Sequence, residues 1–160
     1  MNAVLNSLYL LAVISSLALT QGPDWSTRGT HATLHSKDSF VLVFGKQSIQ
    51  RGPDYSTRAS ALDYQKRKHI RDLVWFFTAD GCFMSDDPGV IAGLKETEEP
   101  QEALGKRQAR VGGSDLELAH QLAQEQNQLT WQRDEIVWAL FDKLRKEGRL
   151  KAVSEHCPSR

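Results

Sequence analysis

Apolar residues return at helical spacing in two long stretches of this chain. Leu62, His69, Ile70, Leu73, Val74, Phe76 and Phe77 recur near helical spacing, with Ser60 placed to cap and Gly81 to stop. That pattern predicts a helix over about 61–78, with a wide apolar end in DLVWFF. The second stretch opens on SDLE, where Ser114 and Glu117 form a capping box. Leu116, Ala119, Leu122, Ala123, Leu129, Ile136, Val137, Leu140, Phe141 and Leu144 then share a face, and Gly148 marks the stop. A long helix over about 115–147 is predicted, packed through that face on the helix at 61–78. Trp131 and Trp138, seven apart, make a second ridge on it, and Gln126 and Arg133 interrupt any sustained coiled-coil seam.

Elsewhere the pattern is weaker. Phe40 to Phe44 is a continuous apolar run with two valines, ending at Gly45, and reads as one short strand with no partner strand predicted for it. Residues 82–94 are turn-rich, and Asp86-Asp87-Pro88-Gly89 carries turn chemistry. The stretch 95–113, KETEEPQEALGKRQARVGG, is acidic, then basic, holds Pro100 and lacks apolar periodicity, so it reads as a linker. The expected fold class is therefore mainly α: two amphipathic helices joined by a disordered linker, behind an irregular N-terminal region over 21–59. The division expected is 1–20, 21–59, 60–94, 95–113 and 114–160.

The first twenty residues contain no charged side chain, and the run Leu8–Leu19 has the length of a signal-peptide core and is short for a membrane span. Ala18 and Thr20 sit at −3 and −1 for cleavage before Gln21, which could then cyclise to pyroglutamate. The alternative is an uncleaved anchor. After cleavage, no stable membrane insertion is expected.

Two cysteines remain, Cys82 and Cys157. In an oxidising lumen they allow one intrachain disulfide, against the alternative of free or intermolecular thiols. Net charge is zero over the 160 residues, which leaves no overall basic footprint for nucleic acid. The charge is uneven, however: nine basic residues to six acidic over 23–81, one to six over 82–105, and ten to eight over 106–160.

The chain also repeats itself. GPDWSTR at 22–28 returns as GPDYSTR at 52–58. The pair is either two copies of a short ligand with Trp25 or Tyr55 as its receptor-contact aromatic, or a local duplication making two similar turns. Arg51, Arg28 and Arg58 are single basic sites beside these copies.

The strongest short motif is Gly105-Lys106-Arg107. Cutting at the two bases and trimming them exposes Gly105, the substrate of amidating chemistry, and leaves Leu104 as an amide. Arg107 and Arg110 form an R-x-x-R convertase pattern, and Lys66-Arg67-Lys68 is a second dibasic site inside the expected helix. The competing reading of 106–110 is a solvated basic run.

His31 and His35 lie four apart, but no carboxylate or cysteine stands at ligand spacing beside them, so no metal site is assigned. His156-Cys157 points to a disulfide before a metal. No nucleophile–His–acid constellation or phosphate loop is present, so no catalysis and no cofactor are expected.

TADGCFMSD, 78–86, is similar to the opening of glucagon- and secretin-family hormones at Ala79, Asp80, Gly81, Phe83, Ser85 and Asp86. Thr78 stands where that family has His or Tyr, no basic site precedes it, and Pro88 breaks the required helix, so the family is not assigned.

In layout — leader, short repeats, basic cleavage sites, amidation glycine — the chain resembles a neuropeptide or peptide-hormone precursor. The resemblance implies a secreted precursor cut by a proprotein convertase and acting on a cell-surface receptor. The alternative expectation is an uncut secreted or luminal α-helical binding protein with one disulfide.

Overall fold

The computed structural model describes residues 30–111, 116–155 and 157. Its elements in chain order are α1 (Thr30–Leu34), β1 (Ser39–Phe44), β2 (Gln47–Arg51), α2 (Ser56–Lys68), β3 (Asp72–Thr78), β4 (Gly81–Ser85), α3 (Pro88–Glu96), α4 (Glu99–Gln108), α5 (Leu116–Lys146) and β5 (Lys151–Ala152). The five strands form one antiparallel sheet in the order β2-β1-β3-β4-β5. The mainly α expectation is therefore wrong: the chain has an α/β fold built on a five-stranded antiparallel sheet.

The central strands explain the misreading. SFVLVF and DLVWFFT are apolar without interruption because both faces of β1 and β3 are covered. Phe40, Leu42, Val74 and Phe76 face one way, into a core with Val90 and Leu94 of α3 and Val137, Trp138, Phe141 and Leu144 of α5. Val41, Val43, Leu73, Trp75 and Phe77 face the other way, against Ala61 of α2 and Val153 of the C-terminal segment. DLVWFF, expected as the apolar end of a helix over 61–78, is a strand, and the helix stops ten residues early at Lys68. The expected helix pair does not pack as a hairpin, since α2 and α5 lie on opposite faces of the sheet.

The partner that Phe40–Phe44 lacked on paper is supplied twice, by β2 and by β3. Gly45 and Lys46 turn β1 into β2, with Gly45 at φ 61°, and Gly81 at φ 123° closes the β3–β4 hairpin instead of stopping a helix. The region 30–59, expected as irregular, thus contains α1, a hairpin and the start of α2.

The stretch read as a linker holds α4. Its acidic-then-basic order suits a helix dipole: Glu99 and Glu102 lie in the first turn, Lys106 and Arg107 in the last, and Pro100 near the N-terminus. Leu104 is buried, Gln108 Nε2 donates to the Leu122 carbonyl of α5, and Gln101 bonds Gln126 and Thr130. Likewise the DPG tripeptide begins a helix: the Asp87 carboxylate accepts from Gly89 N and Val90 N at 2.9 and 3.1 Å, with Pro88 at the first position of α3. Burial opposes ionisation of Asp87, but those amides and Arg149 outweigh it and hold its pKa below the ordinary carboxylate range.

Candidate functional site

The second copy of the repeated phrase builds the connection from β2 to α2. Gly52 has φ 104°, and a Cβ there would run into the Asp38 carbonyl and Ser39, so only glycine fits. Asp54 Oδ1 accepts from the Ser56 amide at 2.8 Å and its hydroxyl at 2.6 Å, starting α2. Thr57 is buried, and Arg58 Nε donates to Ser48 Oγ. Tyr55 is 86% exposed and leaves the phrase as its one outward aromatic. Trp25, Gln21 and the first copy lie outside the described residues, as do Ser114 and His156.

From that start α2 runs to a basic end. Lys66, Arg67 and Lys68 form its last turn, favourable at the negative pole of the helix dipole. The helix closes on His69 in the left-handed region, φ 55°, with His69 N donating to Lys66 O and Ile70 N to Gln65 O. His69 is the only non-glycine residue at positive φ among the described residues, and this conformation costs a side-chain-bearing residue about 1 kcal/mol.

Gln65 then ties two loops together, its amide donating to Gly45 O at 3.0 Å and Arg71 O at 2.7 Å. The β1–β2 turn and the α2–β3 connection are thereby held around a solvent-open hollow of about 750 Å3. Leu62 and Ile70 supply apolar lining, and Lys46, Lys66, His69 and Arg71 are all exposed around it. Lys46, Lys66 and Arg71 make no ion pair among the described residues, whereas Arg67 is held by Asp63 at 3.0 Å and Lys68 stands 3.9 Å from Glu155.

Asp72, the acid next to Arg71, is engaged by other partners as well. Asp72 Oδ1 accepts from Gly45 N and its Oδ2 pairs with Lys95, both at 2.8 Å. Burial resists its ionisation, but Lys95, the Gly45 amide and the Arg71 charge prevail and lower its pKa. What remains is a net cationic depression suited to holding a negatively charged partner by point charges.

The other expected site residues fall elsewhere. Gly105, Lys106 and Arg107 are helical, Arg107 grips Glu125 of α5 with both carboxylate oxygens at 2.8 and 2.9 Å, and Leu104 is buried. Arg110 is exposed in the turn that follows α4. Cys82 of β4 and Cys157 are bonded, with their Cα atoms 5.5 Å apart.

His31 and His35 meet carboxylates that sequence spacing did not disclose. His31 Nδ1 lies 2.8 Å from Asp142 Oδ2, while His35 bridges Asp38 at 2.9 Å and Asp142 at 3.2 Å. The His35 ring stacks on Trp138 at 4.3 Å, and Glu135 accepts from the His31 and Ala32 amides. Burial opposes ionisation of Asp142, yet the two histidines lower its pKa. This seam fastens α1 to α5. No group of three or more metal-ligating side chains occurs among the described residues.

A third polar cluster joins β2, α5 and the α3–α4 connection. Buried Arg133 contacts Glu98 at 3.5 Å and Asp134 at 3.2 Å, and Arg51 Nε donates to Asp134 at 2.9 Å. Burial raises the Glu98 pKa despite Arg133 beside it.

Sequence reasoning had noticed Lys66-Arg67-Lys68 only as a protease site. The signal for the hollow was KRKHIR itself, four cations in six residues; Lys46, twenty positions earlier, carries no sequence signal that joins it to them. No described helix is long and apolar enough to cross a membrane. No family model matches the chain, no curated protein matches it, and no solved structure matches it.

Proposed function

We propose that this chain works as an intact, disulfide-linked binding domain of the secretory route, holding an anionic partner in the hollow around Lys46, Lys66, His69 and Arg71 without catalysis. The observation that carries the reading is the convergence on one depression of Lys46 from the β1–β2 turn with Lys66, His69 and Arg71 from the end of α2 and the connection after it, the three cations making no ion pair among the described residues. The Cys82–Cys157 bond and the apolar front of the sequence support an oxidising export route.

The precursor reading weakens on physical grounds. A convertase needs an extended chain, and Lys106-Arg107 sits in a helix with Leu104 buried and Arg107 paired. Exposed Arg110, just past α4, keeps that reading in play, with a receptor as the partner of the released fragment.

Mass spectrometry of material secreted by expressing cells separates the two. The binding-domain reading expects the mass of an uncut chain beginning near Gln21, with its disulfide formed. A fragment ending in amidated Leu104 overturns it and restores the hormone-like precursor, and material retaining Met1 in the cytosol overturns both.

A further inference from the structure

We propose that the hollow binds a linear sulfated polysaccharide, with sulfate groups as the recognised chemistry. The inference rests on the binding-domain reading, since such a chain meets only exported proteins.

The choice of ligand follows from which donors the hollow has left. Three of its backbone amides are engaged: Gly45 N on Arg71 O and Asp72, His69 N on Lys66 O, and Ile70 N on Gln65 O. The Gln65 amide is spent as well, on Gly45 O and Arg71 O. Those amides are not free to cradle a compact phosphate. What is offered is a set of long, exposed side chains that act as separate charges, open to solvent over about 750 Å3. An extended polyanion satisfies such a set, because each neutralised pair releases a counterion and no enclosure is needed.

Nucleic acid is disfavoured by the lining. His69 carries the one aromatic ring among the lining residues, and the nearby Tyr64 ring already lies under Lys68, 5.9 Å away, so the hollow lacks the series of stacking platforms that successive bases need. The like charges of Lys46, Lys66 and Arg71 repel one another, offset in part by Asp72 beside Arg71, and a bound polyanion relieves the remainder. His69 adds an independent sign. Glycine is the usual residue at a left-handed helix end, yet here an imidazole is kept in the strained conformation beside three cations.

The test uses the secreted, disulfide-bonded protein on immobilised heparin, with affinity measured against salt. The triple variant Lys46→Gln, Lys66→Gln, Arg71→Gln is compared with a charge-matched control, Lys37→Gln, Lys143→Gln, Lys146→Gln. All three site residues are exposed, so both proteins are expected to fold, which circular dichroism checks.

The expected result is at least a roughly tenfold loss for the site variant, with the slope of log affinity against log salt falling by about two to three, and the control nearly unchanged. Equal losses in the two variants overturn the proposal. So does equal binding to desulfated heparin, or equal competition by polyglutamate of matched charge. An intact secreted chain that ignores heparin sinks only this inference, while a chain cut at Arg107 that still binds sinks only the intact-domain reading.

Discussion

The two faces of the sheet are covered by different means. On one, α5 alone lays Val137, Trp138, Phe141 and Leu144 over Phe40, Leu42, Val74 and Phe76, and α3 adds Val90 and Leu94. The rings interlock: Phe141 stands 4.7 Å from Phe76 and 5.6 Å from Trp138, and His35 stacks on the outer side of Trp138. On the other face α2 buries a single alanine, Ala61, and half-buries Leu62 and Tyr64. Two polar atoms on that side, Thr57 Oγ1 and Trp75 Nε1, are buried without a hydrogen-bond partner among the described residues. The rest of its cover is Ile70, Val153 and the Cys82–Cys157 link.

The difference teaches how the fold divides its labour. A helix rich in large apolar residues holds itself down by burial. A helix that presents lysines, arginines and a strained histidine cannot, so a covalent bond and the C-terminal segment complete that side. The charged hollow lies on the thinly packed face, where few buried contacts constrain which side chains point outward.

Four measurements break or sharpen this contrast. The largest effect is expected from Phe141→Ala, at about 4 kcal/mol of unfolding free energy, because the ring is fully buried amid other rings that cannot collapse into its space. Denaturant titration measures it, and a loss below about 1 kcal/mol would show that the aromatic face is not the stronger one.

Next is Cys157→Ser. The bond closes a loop with a sequence separation of 75, so its removal costs about 3 kcal/mol, with the chain-entropy limit near 4.5 kcal/mol. Hydrogen exchange should show the loss first in β4, β5 and α2, leaving α5 protected. Uniform deprotection of both faces would contradict the division.

Asp142→Asn tests the seam on the aromatic side. Asp142 has a lowered pKa in the folded state, so its contribution is present above the ordinary aspartate range and disappears as pH falls through the lowered value. The variant should lose about 1 kcal/mol at neutral pH and lack that acid-side decline. A stability profile parallel to the parent's at every pH would refute the coupling to His31 and His35.

The smallest is a gain. His69→Gly relieves the left-handed strain and should stabilise the fold by about 0.5–1 kcal/mol while weakening the grip of the hollow on heparin. If stability falls instead, His69 is held for packing and not kept against strain.

Several local features were legible from the chain alone. The C-terminal helix was expected over 115–147 and runs Leu116–Lys146, because its apolar face repeats for eight turns and nothing competes with it. The strand at Phe40–Phe44 was legible from its uninterrupted apolar run, and the Cys82–Cys157 pair follows from there being two cysteines and one way to join them within the chain. By contrast, VWFF fits a buried strand and a buried helix end equally well, and only pairing with β1 and β4 decided it. The acidic-to-basic run at 95–113 has too few apolar residues to announce a helix; α5 beneath Leu104 and opposite Arg107 decided that one.

The same boundary runs through the candidate site. Lys66, His69 and Arg71 are neighbours along the chain, but Lys46 reaches them only because β1 lies antiparallel to β3 and Gln65 bridges the two connections. Sequence by itself determined which segments are apolar, where charge accumulates, and which cysteines can join. Tertiary structure decided which apolar runs became strands, which face each helix covers, and which cations share a hollow. Periodicity and charge are read from neighbours along the chain, whereas strand pairing and the gathering of charges depend on residues far apart in it.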